Sequence, residues 1–293
     1  MGLDEVEWAV ERHGRATRYR PEAELLPELL ADFGDLRLLM SGRQSEPVRR
    51  RLAVAAARMS GLVALTLLKL GDERSRSWWR TGRAVAASAE DRATLSWMYA
   101  QEAYQLYYSG DLYGAVELAL RAQHWADALP CVGPALAAPL EARAHALLHD
   151  ADAATDALAG GRTALDRLPE AERTESAFGY SEAQFAFHSG NAWTHLGDTD
   201  RANEELTRAL HLYPRSDHMD RALVHLDQAM CAAVSGDPAS AADQALTTVV
   251  NLPEQHRTAL IIYRARDVAD KVPEARKTLE IKALREVLAL PSG

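Results

Sequence analysis

A glycine–aspartate turn followed by an amphipathic helix recurs along this chain at a nearly fixed interval. It falls at Gly71 in "KLGDERSR", Gly110 in "YSGDLYGA", Gly197 in "LGDTDRAN" and Gly236 in "VSGDPASA". In "LHDADAAT", His149 stands where the glycine would be. The intervals are 39, 39, 48 and 39 residues. Such a register marks a stack of similar supersecondary units. Seven residues before each turn stands a small residue: Ala64, Ala103, Ala142, Gly190 and Ala229. Five residues after it come Ala115, Ala154, Ala202 and Ala241, with Arg76 in the first unit. Small residues at matched positions let two helices approach closely. Glycine ends the first helix by taking a positive φ, and the aspartate caps the second. Pro214 and Pro253, each seventeen residues past its turn, end two of the second helices. With His149 in place of glycine, the third turn is expected to be less sharp.

Composition agrees with an all-α chain. Hydrophobic residues make up 47% and aromatics 6% of 293 residues. Ala and Leu, strong helix formers, dominate, and strand-like alternation is nearly absent. The excess of Arg over Lys points to a high-GC coding bias more than to a physical need. Cys131 and Cys231 form neither a CxxC nor a zinc spacing, so a reduced, cytoplasmic protein is expected. The acidic opening "MGLDEVEWAVERHG" is not a signal peptide. The longest apolar stretch, Met59 to Leu70, is too short to span a bilayer.

The net charge of −9 argues against bulk nucleic-acid binding. It is uneven: Arg43 to Arg92 holds 11 basic and 5 acidic residues. A basic patch around "VRRRLAVAAAR" would meet an acidic partner or a phosphate; the alternative is a solvated helix face. Direct DNA contact through Arg49, Arg50, Arg51 and Arg58 is the least favoured use of it.

The repeat resembles the tetratricopeptide repeat (TPR). "GNAWTHLGDTDRANEELTRALHLYP" carries the likeness best, through Gly190, Gly197, Ala202, Leu206, Ala209 and Pro214. The family period is about 34 residues, so this chain has longer helices or loops, as in "LPCVGPALAAP" and "LPEAERTESAFGYSE". The resemblance implies one right-handed α-solenoid of antiparallel helix pairs, with about fourteen helices. Five repeats would span 48–253, with capping helices over 1–47 and 254–293.

The whole chain also resembles the C-terminal sensor region of actinobacterial regulators that begin with a lambda-repressor-like (XRE-type) helix-turn-helix. "ELLPELLADFGDLRLLM", "SGLVALTLLKLGDERSRSWWRTGRAVA", "ALAAPLEARAHALL", "SAFGYSEAQFAFHSGNAWTHLGD" and "LPEQHRTALIIYRARDV" carry it. In that family a DNA-binding head precedes a helical repeat region that receives a signal. Here Met1 opens directly on the repeats, which implies either a trimmed chain or a stand-alone member.

In tetratricopeptide repeats the concave groove is lined from the first helix of each pair. The family positions fall on Arg58 in the first repeat, Trp97, Tyr104 and Tyr107 in the second, Arg143 in the third, and Gln184 and Asn191 in the fourth. The fifth contributes Leu223, Leu226 and Met230. Arg143 would grip a carboxylate or phosphate, Asn191 a peptide backbone, and the aromatics offer flat amphipathic surface. The plainer alternative packs the aromatics between repeats and pairs Arg143 with Glu141 or another acid.

Other constellations are weaker. His145 and His149, with Asp150 and Asp152, have a spacing that can hold a metal, but His149 falls in a turn; no metal or other cofactor is expected. His188, His195, His218 and His225 read as surface or inter-helix residues. Trp78 and Trp79 point apart on one helix, one toward the core. Gly160 and Gly161 mark a close helix crossing or kink, not a phosphate loop. No local catalytic motif stands out. The expectation is a non-enzymatic regulatory protein that takes a peptide, a protein partner or a small signal molecule in its groove, with homodimerisation left open. The alternatives are an enzyme of specialised metabolism with a pocket inside the superhelix, and an assembly scaffold without a small ligand.

Overall fold

All five turns use one backbone device. In the computed structural model, which describes residues 2–272 and 279–289, Gly71, Gly110, Gly197 and Gly236 have φ of 75°, 82°, 84° and 85°. The aspartate after each glycine donates its N–H to the carbonyl five residues back: Asp72 to Leu67, Asp111 to Leu106, Asp198 to Trp193 and Asp237 to Ala232. This closes the helix with a left-handed residue. The third turn is no less sharp, which corrects the expectation. His149 takes φ 62°, and Asp150 N bonds to His145 O at 2.9 Å. The hydrogen-bonded turn thus places His149, although exposed, in a backbone region that disfavours a side chain. In the last four units the aspartate carboxylate then caps the next helix, accepting from Gly114, Ala153, Arg201 and Ser240 N–H groups.

The described residues form fourteen α-helices, two short 3-10 turns and no strand. The helices are α1 (Leu3–Ala16), α2 (Glu22–Ser41), α3 (Glu46–Lys69), α4 (Ser75–Ser88), α5 (Arg92–Tyr108), α6 (Leu112–Ala126) and α7 (Val132–Leu147). They continue with α8 (Ala151–Arg167), α9 (Glu182–Leu196), α10 (Thr199–Leu212), α11 (His218–Val234), α12 (Pro238–Asn251), α13 (Ala259–Lys271) and α14 (Leu279–Ala289). The start of the "PEARKTLEIKALREVLAL" segment and the C-terminal end lie outside the described residues.

Helices joined by a turn pack as pairs: α3 with α4, α5 with α6, α7 with α8, α9 with α10, α11 with α12. The first helices also touch in series, α3 to α5, α5 to α7, α7 to α9, α9 to α11 and α11 to α13. The small residues sit at these contacts. Ala64, Ala103, Ala142 and Ala229 are fully buried, as are Ala115, Ala154, Ala202 and Ala241. At Gly190 a β-carbon would come within 2.6 Å of Leu206 Cγ, so the larger leucine requires glycine opposite it. Gly161 packs on Pro139 of α7 in the same way, a close helix crossing. Trp79 is buried and donates to Gln105 Oε1 at 3.3 Å, while Trp78 meets Phe33 of α2 edge-on at 5.0 Å.

As a whole helix, α3 is long and apolar enough to cross a membrane, which corrects the reading from its shorter Met59–Leu70 run. Most of that apolar window is buried in the fold, however. It packs against α1, α2, α4 and α5. The basic cluster at its start is matched by acids: Arg51 reaches Glu7, Arg58 reaches Glu11, and Arg49 pairs with Glu46.

Two features close the centre. The long 48-residue interval holds an irregular segment between α8 and α9 that lies across earlier helices. Its Ala177 N–H bonds to Gly14 O at 2.9 Å, and its Phe178 packs on Trp97 at 4.9 Å. The first and last described parts also meet. Arg18, between α1 and α2, pairs with Asp220 of α11, and α3 touches α13.

Candidate functional site

Four of the seven residues singled out from the sequence come together. Tyr104 and Tyr107 of α5, Arg143 of α7 and Asn191 of α9 meet in the interior. Arg143 is fully buried, the most deeply buried of the described arginines. Its Nε donates to Asn191 Oδ1 at 2.7 Å, and Tyr107 Oη donates to the same oxygen at 3.2 Å. Asn191 Nδ2 donates onward to Asp227 Oδ2 of α11 at 2.9 Å. Asp227 Oδ1 accepts from Arg264 of α13. A single polar chain therefore crosses five successive first helices through their apolar interior.

The alternative pairing of Arg143 with Glu141 does not occur; Glu141 accepts from Gln123 at 2.6 Å. The Arg143 guanidinium instead lies among aromatic rings. It is 4.5 Å from the Tyr107 centroid, 5.8 Å from Tyr104, 5.9 Å from Tyr108 and 5.7 Å from Phe187. Cation–π attraction offsets part of the cost of burying the charge. Neither Nη1 nor Nη2 makes a well-formed hydrogen bond among the described residues, and the guanidinium donates a weaker one to the Tyr104 hydroxyl.

Beside this chain, His188 lies between Tyr180 Oη at 2.8 Å and Tyr104 Oη at 3.2 Å. Burial, reinforced by the positive charges of Arg143 and Arg18, holds its pKa well below the ordinary histidine value. His195 is pushed down to about 3 by burial, with Arg264 and Arg143 adding to it. Burial raises Tyr104 and Tyr107, so both are hydroxyl donors at neutral pH.

A cavity of about 100 Å³ adjoins the cluster. Tyr104, Tyr108, Phe187, His188 and Gln184 line it, with Leu65, Leu68, Leu136, Leu223 and Leu260 giving its apolar wall. Thr17, Arg18, Lys69, Ser176, Ala177 and Asp220 are also on its wall, and it draws on α3, α5, α7, α9, α11 and α13 together. Gln184 also closes the start of α9, its Oε1 accepting from Ser181 N–H at 3.2 Å.

Arg58 and Trp97 are placed elsewhere. Arg58 pairs with Glu11 at 2.7 Å and lies 3.8 Å over the Phe178 ring. Trp97 is buried and donates to Ala177 O at 2.7 Å. Both hold the irregular segment down.

Asp227, Arg264, His188, Tyr108 and Tyr180 were not among the sequence candidates. Asp227 and Arg264 had a local signal: each interrupts an apolar helix stripe, in "ALVHLDQAM" and "ALIIYRARDV". His188, read as surface or inter-helix, is buried at the centre. His218 stacks on His256 at 4.9 Å. Among the described residues no three His, Cys, Asp or Glu side chains gather as a metal site, and His145 lies 3.8 Å from Glu141 and 3.9 Å from Asp150. No protein-family model matches this sequence, and no curated protein matches it significantly.

Proposed function

We propose that this chain is a non-enzymatic regulatory protein, a tetratricopeptide-like α-solenoid that takes a small signal molecule inside its superhelix and serves transcriptional regulation. One observation carries the reading. The polar chain from Tyr107 through Arg143, Asn191 and Asp227 to Arg264 joins five first helices, and other side chains of those same helices line a cavity beside it. Buried polar networks are costly unless every member is satisfied, and this one leaves two nitrogens of a buried guanidinium without a well-formed bond. Binding sites commonly combine an apolar wall with a few convergent polar groups. The series of helix pairs and the left-handed turns support the solenoid. The regulatory role rests on the resemblance to the actinobacterial regulators.

Of the three ligand types expected from sequence, the small volume of the central cavity favours a small molecule over a peptide or protein. Because the chain spans helices from several repeats, a ligand that prefers one arrangement shifts the spacing of all of them.

The test is native mass spectrometry of the protein purified from its own host, beside a denatured sample. A reproducible added mass that disappears on denaturation is expected. Its absence, together with no stabilisation by any small metabolite, would overturn the reading and leave an assembly scaffold.

A further inference from the structure

We infer that the trough between α10 and α12 is a second binding site and that its ligand is a phosphorylated saccharide, with Arg215 and Arg221 taking the phosphate. The site is separate from the central cavity, and the inference does not rest on the reading given to that cavity.

α11 packs on both α10 and α12, and one of its faces floors a trough of about 640 Å³. That volume lies within the roughly 300–1,000 Å³ of small-molecule sites. His218, Arg221, His225, Gln228, Ala232 and Ser235 form the floor; they recur every three or four residues and so share a side of the helix. Asn203 of α10 and Gln244, Thr247, Thr248 and Asn251 of α12 stand on the walls. Arg215, in the link between α10 and α11, joins His218 and Arg221 at the end where α11 begins.

The lining excludes several classes of ligand. The chain has 42 acidic residues and a net charge of −9, yet no Asp or Glu lines this trough. A cationic ligand would find no counter-charge there. No Phe, Tyr or Trp lines it either, so a nucleobase has no aromatic ring to stack on. Its apolar part is Leu252, Pro253 and two alanines, too little to hold a hydrocarbon chain. An anionic ligand rich in hydroxyl groups remains.

The charge is available at one end. Arg215 is exposed and Arg221 half-buried, and neither makes an ion pair among the described residues. Arg221 Nη1 donates to Leu210 O at 2.7 Å and to Tyr213 O at 3.1 Å. Two neutral carbonyls thus fix the guanidinium without cancelling its charge. The neighbouring acids are engaged elsewhere: Asp217 caps α11, and Asp220 pairs with Arg18. Two unpaired arginines match the two charges of a phosphate dianion, whose oxygens suit the guanidinium fork.

The rest of the trough suits hydroxyl groups. His225 Nδ1 lies 3.2 Å from Gln228 Oε1. With the proton on Nδ1, its Nε2 is an acceptor. Burial, only partly offset by the Gln228 hydrogen bond, holds this ring below the ordinary histidine value, so it is uncharged at neutral pH. The amides of Asn203, Gln228, Gln244 and Asn251 carry donors and an acceptor each. Sugar hydroxyls donate and accept at once, and such a lining answers both.

The experiment is calorimetric titration of the full chain with glucose 6-phosphate, fructose 6-phosphate and trehalose 6-phosphate, beside glucose, glucuronate and inorganic phosphate. At least one sugar phosphate is expected to bind, and the three partial ligands to bind more weakly by about tenfold or more. Arg215→Gln weakens the sugar phosphate by about tenfold or more. Thr247→Trp fills the trough from an exposed position on α12 and abolishes binding. Arg76→Gln, at an exposed site on α4, leaves it unchanged. Circular dichroism of each variant checks the fold. Binding that survives both Arg215→Gln and Thr247→Trp overturns the inference. So does glucose or inorganic phosphate binding as tightly as every sugar phosphate, and so does silence from all three sugar phosphates. An acidic peptide that binds where they do not would make the trough a protein-docking face instead. Arg215 and Thr247 are not on the wall of the central cavity, so these outcomes leave the reading of that cavity untouched.

Discussion

The Nε of Arg143 donates to Asn191 Oδ1 at 2.7 Å, and it is the one well-formed hydrogen bond the guanidinium makes among the described residues. A fully buried cation with one such bond is expensive to keep. Replacing a buried, poorly satisfied charge with an apolar side chain of similar length is often neutral or stabilising. Arg143→Met is therefore expected to raise the unfolding free energy by about 1 to 3 kcal/mol without ligand, measured by urea denaturation. A loss of stability would mean that the four surrounding rings compensate the charge.

Asn191 has the opposite sign. It accepts from Arg143 and Tyr107 and donates to Asp227. Asn191→Leu strands all three groups, and a cost of about 3 to 5 kcal/mol is expected. Combining it with Arg143→Met removes one stranded group, so the double variant recovers part of the loss. A double-mutant cycle reads this directly; strict additivity would show the two residues to be independent.

Asp217 gives a pH signature. It caps α11, accepting from Asp220 N–H at 3.0 Å, and it is buried beside Asp220. Burial and the neighbouring carboxylate raise its pKa from 3.8 to about 7. The native state then holds this proton more tightly than the unfolded chain does. The group's contribution to stability is fully present below about pH 4 and is lost as pH rises toward about 7. Asn caps a helix as well as Asp. Asp217→Asn should match the wild type near pH 4 and exceed it by about 1 to 3 kcal/mol at pH 8. A difference that does not grow with pH would remove Asp217 from the account. His188 and His195 act the other way: both are held neutral in the fold, so their support is lost as pH falls below about 6.5.

The turns offer a local test. His149 adopts φ 62° where the other four turns have glycine. His149→Gly should stabilise by about 0.5 to 1 kcal/mol and Gly197→Ala should destabilise by about 1 kcal/mol. Thermal midpoints of the two variants compare them, and a destabilising His149→Gly would show the histidine side chain to be making a contact that outweighs its backbone cost.

Phe178 tests the cover. Its ring lies under Arg58 and against Trp97, and a β-carbon on Gly14 would come within 2.5 Å of it. Phe178→Ala should speed amide exchange at Ala177, whose N–H bonds to Gly14 O, while amides in α11 and α12 keep their rates. Uniform acceleration would mean that the segment is part of the global core and not a separately opening cover.

Helices, turns and pairing were legible in the sequence because each depends on residues within about one repeat of one another. The column six residues before each turn placed Tyr104, Arg143 and Asn191 correctly on successive first helices, and they do meet. What could not be read was set by distant partners. Trp97 and Arg58 have groove positions, yet Ala177, 80 residues beyond Trp97, and Phe178, 120 beyond Arg58, occupy them. The longer fourth interval announced extra chain but not where it would lie. Asp227 and Arg264 sit off the expected columns. Only their polar character within apolar stripes set them apart, and their roles depend on Asn191 and on each other.

The ion pair between Arg18 and Asp220 joins residues 202 positions apart in the chain. A row of repeats with free ends unzips from either terminus, and its melting is a sum of small independent steps. Tying an early link to a late one removes that freedom. Unfolding then becomes closer to a single collective event, and strain applied at one end is felt at the other without travelling through each intervening unit.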